Sequence, residues 1–311
     1  MGSVPRRRVS AAEKSRELAA KRGKPVFRFT ERSKEGYPIY TNPKAVHVDQ
    51  TIRNRGERKT FSLKNVEWIR VDAGNASRNS IGSGGFSYVV LGRIKFAGVS
   101  SSRRVAIKSY RSNRANTYTS LQNIMKKIDK LNVPHPKWAY IPDEFTQHIV
   151  MEPFLIKAEK RGEEIISSKF IPKKFRGGYE SPGDVIDKID LRKGFDKKAM
   201  GQALEITATL AKGGVYFGQA HGLVNYRADV FAFLKKRNGD PKVYVQDIDT
   251  MIERKDHKEN WVESTRVLLR TASVHPKTGF HIPEVDVERK AANEKILKQM
   301  IEAAAKKHGF A

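Results

Sequence analysis

The run Gly82-Ser83-Gly84-Gly85 constrains this chain more than any other feature. It lies in Ile81-Gly82-Ser83-Gly84-Gly85-Phe86-Ser87-Tyr88-Val89, which joins two strand patterns. Glycine has no Cβ, so the backbone can turn tightly there and its N–H groups can close over an anion. A flexible hairpin tip would use the same glycines. The next strand pattern separates the two readings. In Val105-Ala106-Ile107-Lys108 a lysine is flanked by apolar residues. Such a lysine is costly to bury unless an anion sits beside it, and phosphate oxygens would satisfy it. The alternative is an edge-strand lysine facing water.

Together these residues resemble the protein-kinase superfamily. Its signature is Gly-x-Gly-x-x-Gly-x-Val followed by Val-Ala-Ile-Lys. Here Ser87 stands at the third glycine position. The resemblance covers roughly residues 66–290. It implies an α+β, two-lobed protein-kinase-like fold with a strand-rich N-lobe, a mainly helical C-lobe and ATP in the cleft. Ile81, Gly82, Ser83, Gly84, Gly85, Val89 and Ala106 would enclose the nucleotide. Lys108 would hold the α- and β-phosphates. Ile149-Val150-Met151-Glu152-Pro153-Phe154 looks like the hinge, where the backbone at Glu152 and Phe154 would bind adenine. Without the resemblance that stretch is simply a buried strand.

A kinase also needs carboxylates for Mg²⁺ and a residue that orients the acceptor hydroxyl. Val243-Tyr244-Val245-Gln246-Asp247-Ile248-Asp249 reads as a strand ending in paired aspartates. It is similar to the Asp-x-Asp form of the metal motif, so Asp247 would be a Mg²⁺ ligand and Asp249 a second. The catalytic loop should fall in Gln219-Ala220-His221-Gly222-Leu223-Val224-Asn225-Tyr226-Arg227-Ala228-Asp229. In one alignment Asp229 is a metal ligand and Leu223 takes the place of the catalytic aspartate. In the other Gln219 takes that place, and a glutamine can orient a hydroxyl but is a poor base. Neither alignment supplies a carboxylate there. The helix expected over Ala115–Leu131 lacks the glutamate that pairs with the kinase lysine. Gln122 and Asp129 are its nearest substitutes.

The rest of the chain sets limits. Its 311 residues include no cysteine, which excludes disulfides, thiolate zinc sites and cysteine nucleophiles. No window is long and apolar enough for a transmembrane segment, and the basic start has no apolar signal core. The default is a soluble, cytoplasmic protein. The net charge of +26 favours an acidic partner. Residues 1–70 hold 18 Lys/Arg and 7 Asp/Glu. We read 1–65 as a basic, partly disordered extension, with short strands conceivable at Val26–Phe29 and Tyr37–Tyr40. Residues 66–155 would form the N-lobe and 156–311 the C-lobe. Helices are expected at Asp196–Lys212, Glu259–Ala272 and Val287–Lys307, and a hairpin at Val230–Gln246 turning on Asn238-Gly239.

These residues leave three functions open. One is an atypical phosphotransferase moving the γ-phosphate of Mg-ATP to a protein or small-molecule hydroxyl, Ser/Thr of a protein being the expected acceptor. Another is a pseudokinase that binds nucleotide without transfer. The third is a nucleic-acid- or ribosome-associated protein acting through its basic tail. The third is compatible with either of the others.

Overall fold

The computed structural model describes residues 27–45, 65–72, 80–83, 87–110, 115–136, 138–142, 147–151, 160–167, 189–217, 230–248, 251–273 and 284–311. These form an α+β structure that divides into two compact units. The first takes the described residues up to Tyr118 and those of 138–151. The second takes Thr119–Pro136 and the described residues from 160 on. No helix among the described residues is long and apolar enough to cross a membrane.

The first unit is an eight-stranded antiparallel sheet. Its strands are β1 (Arg28–Arg32), β2 (Pro38–Thr41), β3 (Val66–Val71), β4 (Ser80–Ser83), β5 (Ser87–Phe96), β6 (Ser102–Tyr110), β7 (Trp138–Pro142) and β8 (Gln147–Met151). They are ordered β1-β2-β3-β5-β6-β8-β7, with β4 also paired to β5. In β5 the residues Val90, Gly92, Ile94 and Phe96 are buried, while Leu91, Arg93 and Lys95 are half-buried. That period of two is what a strand with one better-covered face requires. Ile94 and Ile107 join Ile69, Val71, Val90, Val105 and Val150 in one core. At Gly92 the strands approach so closely that a Cβ would collide with Ile107 Cδ1 and lie 2.5 Å from the Arg70 carbonyl oxygen.

The sheet begins before residue 66. Phe27 and Tyr40 are 0% and 6% exposed and belong to that same core. β1 and β2 therefore lie inside the stretch read as a basic extension, and β2 pairs directly with β3 from Ile39↔Arg70 to Thr41↔Trp68. The polar residues that mask these strands in the sequence face outward at the sheet edge: Arg28, Thr30, Glu31 and Arg32 are exposed.

The second unit carries four helices among its described residues, one of which enters from the first unit. Helix α1 (Ala115–Lys130) belongs to this unit from Thr119 on. Its buried face is Leu121, Ile124, Met125 and Ile128. It ends in a Schellman turn: Asn132 has φ 53°, Val133 N–H bonds to Ile128 O and Asn132 N–H to Asp129 O. The helix thus closes before Pro134. Leu131 packs against Gly213, Lys127 pairs with Glu253 at 2.9 Å, and Pro134 O accepts from Val245 N–H at 2.8 Å. These ties explain why the helix groups here rather than with the strands on either side of it in sequence.

Helix α2 (Gly194–Lys212) buries Met200, Ala203, Leu204, Thr207 and Leu210 and stops at Gly213-Gly214, where Gly214 has φ 73°. Strand β9 (Glu164–Ser167) pairs with β11 (Phe231–Lys235), which pairs with β12 (Pro241–Val245). The β11–β12 loop is the longer hairpin form, not a two-residue turn. Gly239 N–H bonds to Lys236 O and Lys236 N–H to Asp240 O, with only Gly239 at positive φ. Short strands β10 (Val215–Phe217) and β13 (Met251–Glu253) pair with each other. Helices α3 (His257–Ser273) and α4 (Glu284–His308) complete the unit. Asn293 of α4 clamps the chain entering α2: its Oδ1 accepts from Leu191 N–H and its Nδ2 donates to Ile189 O, both at 2.7 Å. Phe310, beyond the end of α4, stacks on Trp261 of α3 with centroids 5.0 Å apart.

Candidate nucleotide-binding site

The glycine run begins in β4, which pairs antiparallel with β5. Ile81, Gly82 and Ser83 are in β4; Gly84 and Gly85 lie outside the described residues. Register then aligns residues across four strands. Gly82 faces Val89, Val89 faces Lys108 and Lys108 faces Ile149. Directly paired residues point to the same side of an antiparallel sheet, as do residues two apart on one strand. Val89, Ala106 and Lys108 therefore share a face with Ile149 and Met151. The core residues Val90, Ile107 and Val150 occupy the opposite face.

Lys108 is 2% exposed and its strand neighbours across the sheet are aliphatic. An ammonium group so deeply enclosed demands anionic or strongly polar company. This excludes the edge-strand alternative: Lys108 is in β6, paired on both sides by β5 and β8. Strand β8 ends at Met151. Glu152 and Phe154, expected to bind adenine, fall just beyond it and outside the described residues.

The opposite face at this level holds a pair that pattern reading missed. Ser109 Oγ and His148 Nδ1 are 2.8 Å apart, with Ser109 0% and His148 4% exposed. Tyr40 meets the His148 ring edge-on at 5.6 Å. Enclosed in the core, the pair joins strands rather than meeting a substrate. One serine and one histidine on separate strands offered no local signal of it.

In the second unit, β10 leads into residues 218–229 and β12 into residues 246–250. Phe217 is opposite Met251, and Phe231 is opposite Val245. Both connections thus leave and enter at matched strand ends. Gln219, Asp229 and Asp249 lie outside the described residues. Asp247 is described and is 0% exposed. The Val230 carbonyl accepts Gln246 N–H at 2.8 Å and Asp247 N–H at 3.4 Å, and the Gln246 side-chain amide donates to Phe231 O at 3.2 Å. The strand ends at Val245, so Asp247 sits in the turn after it rather than at its tip.

Among the described residues no group of three or more histidines, aspartates or glutamates is placed to hold a metal. Asp247 alone contributes a carboxylate from the expected ligand set. In α1, Asp129 is engaged at its own end of the helix by His135 Nε2 at 2.8 Å, while Gln122 is half-buried. Carboxylates held below their ordinary range lie elsewhere. Glu163 is lowered chiefly by the Arg161 hydrogen bond, Asp190 by Arg192 and Glu205 by Lys307. No protein-family model matches the chain, and no curated protein matches it.

Proposed function

We propose that this protein is a protein-kinase-like phosphotransferase that binds Mg-ATP and moves the γ-phosphate to a hydroxyl acceptor, Ser/Thr of a protein. The reading is carried by the row Gly82–Val89–Lys108–Ile149, in which a lysine with 2% exposure lines up with the glycine hairpin. The motif context that gives Gly-x-Gly and Val-Ala-Ile-Lys their meaning is a glycine hairpin followed by the lysine strand, and the order β4, β5, β6 supports that reading.

The donor set suits the ligand. Lys108 offers a cation among aliphatic walls, and a backbone free of Cβ atoms at Gly82 suits close approach of phosphate. Asp247 offers the hard carboxylate oxygen that Mg²⁺ prefers, with Asp229 and Asp249 as its expected companions. Bound Mg²⁺ would neutralise charge on the phosphate oxygens. Lys108 would hold the α- and β-phosphates, and Gln219 would orient the acceptor hydroxyl without serving as a strong base.

One observation favours nucleotide binding without transfer. The sole carboxylate of α1, Asp129, is committed to His135, so that helix offers Lys108 no acidic partner. Transfer of labelled γ-phosphate, by autophosphorylation or to a generic basic substrate, separates the two. Incorporation that disappears in Lys108→Ala and in Asp247→Ala supports transfer. Binding of ATP without incorporation leaves the pseudokinase reading. Incorporation unchanged in both variants would sink the proposal.

A further inference from the structure

The face that carries Lys108 continues toward the far ends of β5 and β6, and there it changes character. Arg70, Arg93 and Arg104 are consecutive cross-strand partners on β3, β5 and β6. In the next row Arg28, Thr41, Trp68, Lys95 and Ser102 line up across β1, β2, β3, β5 and β6. Trp68 is half-buried on this face, and Arg28 and Arg104 are exposed.

Three of the described carboxylates nearby are already taken. Asp72 and Glu35 pair with Arg70, at 2.8 and 3.5 Å, and Glu67 pairs with Lys95 at 3.2 Å. Glu31 lies opposite Ile39 at the outer edge. Arg28, Arg93 and Arg104 have no carboxylate partner among the described residues. Arg93 is held instead by Ser102 Oγ at 3.2 Å. Like charges directly opposite each other destabilise a strand pair, so the Arg93–Arg104 pair spends stability without a compensating acid. A ligand that brings negative charge would remove that cost.

We propose that this sheet face binds single-stranded nucleic acid, with Arg93, Arg104 and Arg28 on the phosphates and Trp68 stacked on a base. Cations flanking an aromatic ring on a sheet face are what base stacking with backbone neutralisation requires. From β1 to β6 the platform spans four strand spacings, roughly 19 Å. A sheet face several strands wide is unsuited to entering a duplex groove, which admits a helix or a two-stranded ribbon. The site uses no residue before β1 and none of the row Gly82–Val89–Lys108–Ile149.

The test uses the full chain and a fluorescein-labelled oligo(U) of about a dozen nucleotides, followed by anisotropy across a salt series. Trp68→Leu should weaken binding about tenfold with an unchanged salt slope. Arg93→Gln with Arg104→Gln should reduce the slope of log K against log salt by about 1.4, from roughly 0.7 per phosphate contact on a single strand. Lys108→Ala should leave RNA affinity unchanged, which keeps this test apart from the nucleotide reading. If Trp68→Leu unfolds, Trp68→Phe replaces it and should give an intermediate affinity. Affinity unaffected at Trp68 and at both arginines overturns the proposal. So does equal binding of a duplex of the same length, or equally effective competition by polyglutamate, which would mark an acidic-protein surface.

Discussion

Phe27→Ala should cripple the first unit, although Phe27 lies in a stretch whose sequence reads as a tail. The ring is 0% exposed and packs in the cluster with Tyr40, Ile69, Ile107 and Val150. Truncating a phenylalanine in a core costs about 3–5 kcal/mol, from lost transfer energy and the cavity left behind. Tyr40→Ala should act similarly, since it also loses ring contacts with Phe29 and His148 at 6.1 and 5.6 Å. Such rings contribute about 0.5–1.5 kcal/mol per pair beyond the area they bury. A domain is stable by about 5–15 kcal/mol, so the double variant should remove most of the margin. Urea denaturation followed by tryptophan fluorescence measures this, with Glu31→Ala on the exposed side of β1 as the control. Glu31→Ala should stay within about 0.5 kcal/mol of wild type. The reasoning fails if Phe27→Ala is no more destabilising than Glu31→Ala. One practical consequence concerns truncation: cutting at residue 60 removes two strands of the sheet as well as basic charge, so loss of RNA binding after that cut would not locate the binding residues.

Three further outcomes are expected. Asn293→Ala strands the buried Leu191 N–H and Ile189 carbonyl and should cost about 2–5 kcal/mol by urea denaturation. Gly92→Ala should destabilise by at least about 1–3 kcal/mol, and adding Ile107→Val should not restore it, because the Arg70 carbonyl cannot move aside as a side chain can. Glu205 accepts hydrogen bonds from Lys307 and His308, and the Lys307 bond is the main cause of its lowered pKa. A depressed carboxylate pKa adds stability above its unfolded value of 4.5 and loses it as pH falls through the folded value. Wild type should therefore lose more thermal stability than Glu205→Gln on acidification below about pH 4.5. The effect should be small, because the side chain is half exposed and screened by solvent.

Local patterns were enough for the parts of the fold that are local. The alternation of β5, the apolar run at Val105–Ile107 and the helical faces of α2 and α3 each sit within one short window. The glycine hairpin and its lysine were legible for the same reason. What escaped depended on distant partners. β1 and β2 overlap the short strands conceivable at Val26–Phe29 and Tyr37–Tyr40, but their membership of the main sheet, β1 on β2 and β2 on β3, was not legible. β9 is four residues in a Lys- and Gly-rich stretch and is made a strand by β11. The end of α1 agrees with the expected Ala115–Leu131 to within a residue, but the left-handed turn at Asn132 that closes it carries no local signal. Its allegiance to the second unit follows from contacts at Gly213, Glu253 and Val245, which no helical period encodes. Of the expected site, Lys108 and Asp247 are both buried. Buried charge was inferable from apolar flanks for Lys108. For Asp247 it was not, because its enclosure depends on hydrogen bonds from the following turn to Val230 and Phe231.

The most direct test of the proposed nucleotide site is a calorimetric titration of ATP, with and without Mg²⁺, into wild type, Lys108→Ala and Asp247→Ala. The account predicts that wild type binds ATP and binds it more tightly with Mg²⁺. It also predicts a shift in thermal midpoint consistent with about 2.7 kcal/mol of stabilisation at 100 times Kd. Lys108→Ala should weaken both forms at least about tenfold, the loss of one charge-assisted contact. Asp247→Ala should abolish the Mg²⁺ enhancement while leaving metal-free ATP binding close to wild type. Wild type that binds no ATP, or Lys108→Ala that binds as well as wild type, would contradict the account.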